Sequence, residues 1–285
     1  MRIDTILLLY NRPEHSLAVL ESLIRNGVRH VRAFLDHPAD AAVRARQEQM
    51  LTALAERKEI SIDLHRHEQR LGLARSVRFA LHHTLEEADA AILLEDDCVL
   101  RPGGMAFFEE GLTALRYDRC IRSLCGYLYP CPFIRGDMSP LLLRRFCPWG
   151  WATWRDRWRD YQPDLARAVG ELEARNVSLA DLAGDLAELC RSEAYLENRV
   201  DIWSVPWALA HYATRTFCVY PCDSMIENIG FDGTGQNCVP VSAFATTAAA
   251  PPRAWNWDQL VHLAENEEIV KRFMDRHGLS TYPPA

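Results

Sequence analysis

The stretch Ala91-Ile92-Leu93-Leu94-Glu95-Asp96-Asp97 decides the fold, because an apolar run ends there abruptly in three carboxylates. A short run with no polar residue reads as a strand buried on both faces. Such strands belong to the parallel sheets of α/β proteins, where ligands bind beyond the carboxyl ends of the strands. Glu95, Asp96 and Asp97 therefore fall where a ligand would be held. Adjacent carboxylates repel one another unless a cation or a hydrogen-bonded ligand compensates them. In extended chain, residues two apart share a face, which predicts Glu95 and Asp97 on one side and Asp96 on the other. That arrangement suits a hard divalent ion on one side and a polyhydroxylated group on the other. A solvated acidic turn after a strand would read the same way, so the rest of the chain has to decide.

Upstream, apolar runs alternate with helical stripes. Ile3 to Leu9 reads as a buried strand, followed by Tyr10-Asn11-Arg12 and by Pro13 at a helix start. Leu17, Leu20, Leu23 and Ile24 form the stripe of that helix, which stops at Asn26-Gly27. His30 to Leu35 is a second strand ending at Asp36, and Asp40 opens a helix to about Arg57. Ile60 to Leu64 is a third strand, and a helix carrying Val77, Phe79, Ala80 and Leu81 follows Leu71-Gly72. This β-α-β-α-β-α-β order predicts a parallel sheet with right-handed crossovers and helices on both faces. The strand ends then bring Arg12, Asp36, Arg70 and the triple carboxylate to one crevice.

Downstream the alternation stops. Met105 to Leu115 reads as a helix, and Ile121 to Tyr129 and Leu141 to Arg145 as strands, with a proline-rich loop over 130–140 between them. Trp149, Trp151, Trp154 and Trp158 lie within ten positions. Such a cluster serves a core or a platform for the C–H face of a sugar ring. Leu179 to Leu189 reads as an amphipathic helix, Asp201 sits at an N-cap position before an apolar helix to Tyr212, and Thr216 to Tyr220 reads as a strand. Asn228, Gly230, Gly233 and Gly235 crowd one loop with Asp232 among them, a composition able to close over a ligand. Residues 243–252 read as a linker or extended tail, and Trp257 to His277 as a charged helix packing back on the body.

Composition narrows the classes. The chain has 285 residues, 48% hydrophobic and 25% charged, which is globular composition with ample core. A net charge of −7 without a long basic run argues against nucleic acid as a partner. Ile6 to Leu9 is too short for a signal-peptide core and no stretch is long enough to span a bilayer, so a cytoplasmic location is expected, at most peripheral to the inner membrane. The nine cysteines include no Cys-x-x-Cys pair and read as buried reduced thiols, not as a zinc site. Dinucleotide, P-loop, zincin and nucleophile-elbow motifs are missing.

In sum of motifs the chain resembles the GT-A-fold glycosyltransferases, more narrowly the N-acetylglucosaminyltransferase I type and bacterial polysaccharide sugar transferases. The resemblance runs over about residues 3 to 240, through Tyr10-Asn11-Arg12, Asp36, Glu95-Asp96-Asp97, Trp149-Gly150-Trp151, Asp201-Ile202-Trp203 and the loop from Asn228 to Gly235. It implies a mostly parallel, Rossmann-like sheet flanked by helices, with a fused acceptor-binding lobe. Residues 1–117 would form the nucleotide-sugar half, 118–250 the acceptor and catalytic half, and 251–285 a tail. It further implies that Arg12 touches the nucleotide or its pyrophosphate and that Asp36 accepts a hydrogen bond from the base. Asp97 would ligate Mn²⁺ or Mg²⁺, Asp96 would face the ribose and Glu95 the donor sugar. Arg70, Gly72, Gly150, Trp151, Asn228 and Gly230 would complete the donor site, Trp149 and Trp203 would meet the acceptor, and Asp201 would be the catalytic base. The implied donor is a nucleoside diphosphate sugar, a UDP-sugar first. The implied acceptor is a glycan or lipid-linked oligosaccharide.

The chemistry agrees with that assignment. A departing diphosphate builds negative charge that one carboxylate-held cation can stabilise, and the acceptor hydroxyl needs a general base. Two other readings remain. A sugar-nucleotide pyrophosphorylase would use the same kind of sheet and acidic ligands, but the loop Tyr10-Asn11-Arg12-Pro13 lacks the glycines expected there. A non-catalytic carbohydrate-binding protein would use the tryptophans and leave the carboxylates unexplained.

Overall fold

The computed structural model describes residues 1–128, 139–179, 182, 184–192, 203–234 and 254–262. In chain order the first half is β1 (Ile3–Leu9), α1 (Pro13–Arg25), β2 (His30–Leu35), α2 (Ala41–Ala55), β3 (Ser61–Arg66), α3 (Leu73–Glu87) and β4 (Ala90–Leu94). Local chemistry sets these limits. Pro13 opens α1, where its missing N–H costs nothing. Asp40 caps α2 by accepting from the Val43 amide at 2.8 Å. All five residues of β4 are buried, as a strand covered on both faces requires.

The second half begins with β5 (Cys98–Leu100), α4 (Gly104–Ala114), β6 (Ile121–Cys125) and β7 (Leu141–Leu143). Then come β8 (Trp151–Trp154), α5 (Arg155–Trp158), α6 (Leu165–Ala174), α7 (Gly184–Arg191), α8 (Ser204–Thr214), β9 (Phe217–Tyr220), β10 (Ile226–Asn228) and β11 (Val261–His262). Nine strands form one sheet in the order β11-β7-β9-β6-β8-β4-β1-β2-β3, and β10 pairs with β5 in a small second sheet. The architecture is α/β, a large mixed sheet flanked by helices, as the resemblance implies. Right-handed crossovers put α1 and α2 on one face and α3 on the other.

Direction along the sheet positions the site. β1 is parallel to β2 and β4, and β2 to β3. β8 runs antiparallel to both β4 and β6, so β6 points the same way as β4, and β9 is parallel to β6. The carboxyl ends of β1, β2, β3, β4, β6 and β9 thus share one edge, and the chain enters β8 from that edge.

The segments around Trp151 and Trp257 differ from the sequence expectations. The segment around Trp151 is a strand, invisible to periodicity because all four of its residues are buried. Trp257 does not begin a helix. Trp255 and Trp257 lie on the α4 residue Phe107 with ring centroids 5.0 and 5.6 Å away, and Val261–His262 adds a strand beside β7. Trp257 lies in a turn, with the Gln259 amide donating to the Asn256 carbonyl at 3.3 Å. Residues 263–285, the 130–138 part of the proline-rich loop, and the tail over 243–252 lie outside the described residues.

Candidate active site

The cleft at the shared edge is lined by Tyr10, Asn11 and Arg12 after β1, Asp36 after β2, Arg70 and Gly72 before α3, Glu95, Asp96 and Asp97 after β4, and Thr234. The order of the parallel strands reverses between β1 and β4, and such a switch point opens a crevice. Four strand ends therefore converge, as the sequence predicted.

The acidic segment does not alternate. β4 stops at Leu94, and residues 95–97 turn, with the Cys98 amide donating to the Glu95 carbonyl at 3.1 Å. Extended-chain geometry ends with the strand, so Asp96 and Asp97 reach the same partner. Arg12 Nε donates to Asp96 Oδ2 at 3.3 Å, Nη2 contacts Asp96 Oδ1, and Nη2 donates to Asp97 Oδ2 at 2.8 Å. Glu95 stands apart, accepting from the Trp203 indole N–H. Burial, reinforced by Asp97 and Asp96, pushes its carboxyl up to about 8. Desolvation raises Asp96 as well, against the pull of Arg12.

Asp36 does more than face the cleft. Its Oδ1 accepts from the His37 and Leu71 amides, both at 2.8 Å, and its Oδ2 from the Gly72 amide at 2.9 Å. It therefore ties the end of β2 to the start of α3, with a lone pair on Oδ2 left over. Arg70 lies over the Tyr10 ring at 6.0 Å, on the rim of the cleft.

The glycine-rich loop does reach the carboxylates. β10 pairs with β5, and the Ile229 amide donates to the Asp97 carbonyl at 2.9 Å. The Asn228 side chain accepts from the Gly230 amide at 2.8 Å. Gly230 is pressed so close that a Cβ there would stand 2.3 Å from Asp97 Oδ2. His15 of α1 meets Asp232 at 3.2 Å and pins the far side of the loop. Gly235 lies outside the described residues.

The tryptophans of this region differ in burial. Trp151 is fully buried in the core, stacked on Trp203 at 5.3 Å and edge-on to Phe146 at 4.9 Å. Trp203 is 2% exposed and donates to Glu95. Gly150 adopts φ +63°, and a Cβ there would meet Ile226 at 2.6 Å, so it serves close packing under β10. Trp149 is half-buried, edge-on to Tyr127 at 4.6 Å and to the loop residue Phe231 at 5.2 Å. Asp201 lies outside the described residues. His15 and Thr234 were missed, since a lone histidine on a helix carries no sequence signal of its partner.

The donor set fits a hard divalent ion. Asp97 offers carboxylate oxygens, of which Oδ1 has the weakly donating Cys98 thiol at 3.5 Å. No group of three ligating side chains is found among the described residues.

No family model matches the chain, and none of the curated proteins does. Solved structures do. One is Staphylococcus aureus TarS, residues 1–349, at 12% identity and TM-score 0.46, covering 79% of this chain and 59% of that one. Another is the mannosyltransferase PcManGT from Pyrobaculum calidifontis in complex with GDP-Man and Mn²⁺, at 14% identity and TM-score 0.43, covering 74% and 69%. Mouse xyloside xylosyltransferase 1 is similar at 13% identity and TM-score 0.40, covering 73% and 81%. This chain spans about three-fifths of the TarS chain.

Proposed function

We propose that the protein is a metal-dependent glycosyltransferase that moves a sugar from a nucleoside diphosphate sugar to a hydroxyl of a glycan or lipid-linked acceptor, with inversion. One observation supports this above the others. The acidic turn after β4, Arg12 and the Asn228–Gly230 segment meet around Asp97 at the switch point of the sheet. A plain acidic turn would not draw a cationic side chain from the start of α1 and a loop from the second half to one carboxylate.

In this reading the base and ribose lie along Tyr10, Asp36 and Gly72, and the diphosphate lies between Arg12 and Asp97. Asp97 would hold Mn²⁺ or Mg²⁺, and the ion when bound would supply Lewis-acid stabilisation of the negative charge on the leaving diphosphate. Glu95 holds a donor-sugar hydroxyl, kept in place by Trp203. The acceptor oxygen attacks the anomeric carbon, the bond to the diphosphate breaks, and the diphosphate departs with the electron pair. Asp201 takes the acceptor proton. The segment around Gly230 and Thr234 covers the donor and limits water.

The test is a product assay. The purified protein is incubated with Mn²⁺ and UDP-, GDP- or dTDP-sugars together with glycan acceptors. Release of nucleoside diphosphate with sugar transfer is expected. Release of inorganic pyrophosphate would mean nucleotidyl transfer and would overturn the proposal.

A further inference from the structure

Arg12 is placed where two demands meet. It forms the Asp96 contacts already described and donates to Asp97 Oδ2 at 2.8 Å, with its side chain 16% exposed and that of Asp97 9%. Its third nitrogen, Nη1, is buried and has no hydrogen-bond partner among the described residues. An unpaired buried donor is costly, and where one persists beside a cleft it marks a place for a ligand oxygen. A guanidinium cannot shed its charge, so the group that completes it has to be an acceptor, best an anion. Meanwhile Asp97 has one oxygen engaged by Arg12. Its other oxygen, Oδ1, has the Cys98 thiol at 3.5 Å, a weak donor.

We propose that Arg12 is a resident counter-cation: Arg12 and a divalent ion compete for Asp97, and Arg12 exchanges that carboxylate for the diphosphate when nucleotide arrives. The inference rests on Asp97 as the cation ligand. In the nucleotide-free protein the acidic turn is already compensated, so a free divalent ion meets a positive charge in contact with its ligand. Its affinity is held down about tenfold or more by that repulsion. An arriving diphosphate supplies oxygens to Nη1 and Nη2, draws the guanidinium from Asp97, and leaves both Asp97 oxygens to the ion. Cation and nucleotide therefore bind cooperatively, and the acidic turn never stands uncompensated.

The test titrates Mn²⁺ alone into the nucleotide-free full chain and follows the electron paramagnetic resonance of the free ion. Arg12→Gln is expected to bind Mn²⁺ about tenfold or more tighter than wild type, and Asp97→Asn to bind it far more weakly. Inorganic pyrophosphate titrated without metal should show the opposite sign for Arg12→Gln, a clear loss of affinity. Equal or weaker Mn²⁺ binding by Arg12→Gln overturns the competition, even if Asp97→Asn loses the ion and so upholds the cation site. Unchanged Mn²⁺ binding by Asp97→Asn removes the site itself and the competition with it. Should Arg12→Gln fail to fold by circular dichroism, Arg12→Lys decides. Lysine keeps the charge but cannot span both carboxylates as a fork, so a smaller gain in Mn²⁺ affinity is expected and no gain overturns the proposal.

Discussion

Asp97 is constrained from three sides, because its side chain meets Arg12, its carbonyl holds Ile229, and Gly230 is pressed against it. Asp97→Asn keeps the shape and removes the charge. It is expected to lower kcat/KM by about 10²-fold or more, with near-normal melting temperature and a lost response to Mn²⁺ concentration. Asp201→Asn should lower kcat by about 10²- to 10⁴-fold with little change in donor KM, since a general base acts only in the transition state. Near-normal turnover in a steady-state assay would remove Asp201 from the mechanism. The location of the site was legible in the sequence because an apolar run broke off in acids. The aim of each acid was not, because Glu95 to Asp97 form a turn, where strand alternation fails. Nor could the sequence separate Trp151 and Trp203 from Trp149, since an indole looks alike in a core and at a rim, and only packing distinguishes them.

Among elements, the segment around β10 is the one that joins function to packing. It pairs with β5 directly after the acidic turn, so any displacement of the loop is felt at Asp97. Gly230→Ala would push a methyl group into Asp97 Oδ2, which Arg12 already holds. A misplacement of this order costs about 10²-fold in rate, so kcat/KM should drop by about that factor while the far-ultraviolet circular dichroism stays unchanged. A Gly230→Ala protein with wild-type kinetics would mean that the loop stands clear of the carboxylate in solution. The first four strands and three helices were legible because each has its own period and its own stop signals. β8 was not, since a strand of four buried residues presents no alternation. α6 went unread as well, although Asp164 accepts from the Arg167 amide at 3.0 Å, a cap visible in the sequence as an aspartate before an apolar stripe. The expected helix from Trp257 failed in its described part because tertiary contact with Phe107 outweighed a helical pattern.

The whole molecule depends on one continuous sheet, and β8 is the joint that ties its parallel half to the mixed half. Behind that joint lies a buried polar network. The Trp207 indole N–H donates to Ser123 Oγ at 3.0 Å, and Ser123 Oγ lies in hydrogen-bond contact with His211 Nε2 at 3.1 Å. The other groups facing the imidazole offer a proton no help. Cys218 Sγ lies 3.6 Å away, and the nearby Arg122, stacked on Trp207 at 5.3 Å, is positive. Burial, with the Arg122 charge in support, holds His211 well below the usual histidine range. The sign of the pH dependence follows. A folded-state value below the unfolded one means that the unfolded chain takes up the proton first as pH falls. The stability contributed by neutral His211 is therefore complete above about pH 6.5 and lost below it, at about 1.4 kcal/mol per pH unit at most. Urea unfolding should give a midpoint that is level from pH 8 to about 6.5 and then declines toward pH 5. His211→Gln has no imidazole to protonate and keeps an amide able to accept from Ser123. It should start less stable, since the amide fills the site imperfectly, yet its midpoint should fall less over the same interval. A His211→Gln curve parallel to wild type between pH 6.5 and 5 would place the acid sensitivity in other groups. The sheet joint would then owe nothing to the charge state of this histidine.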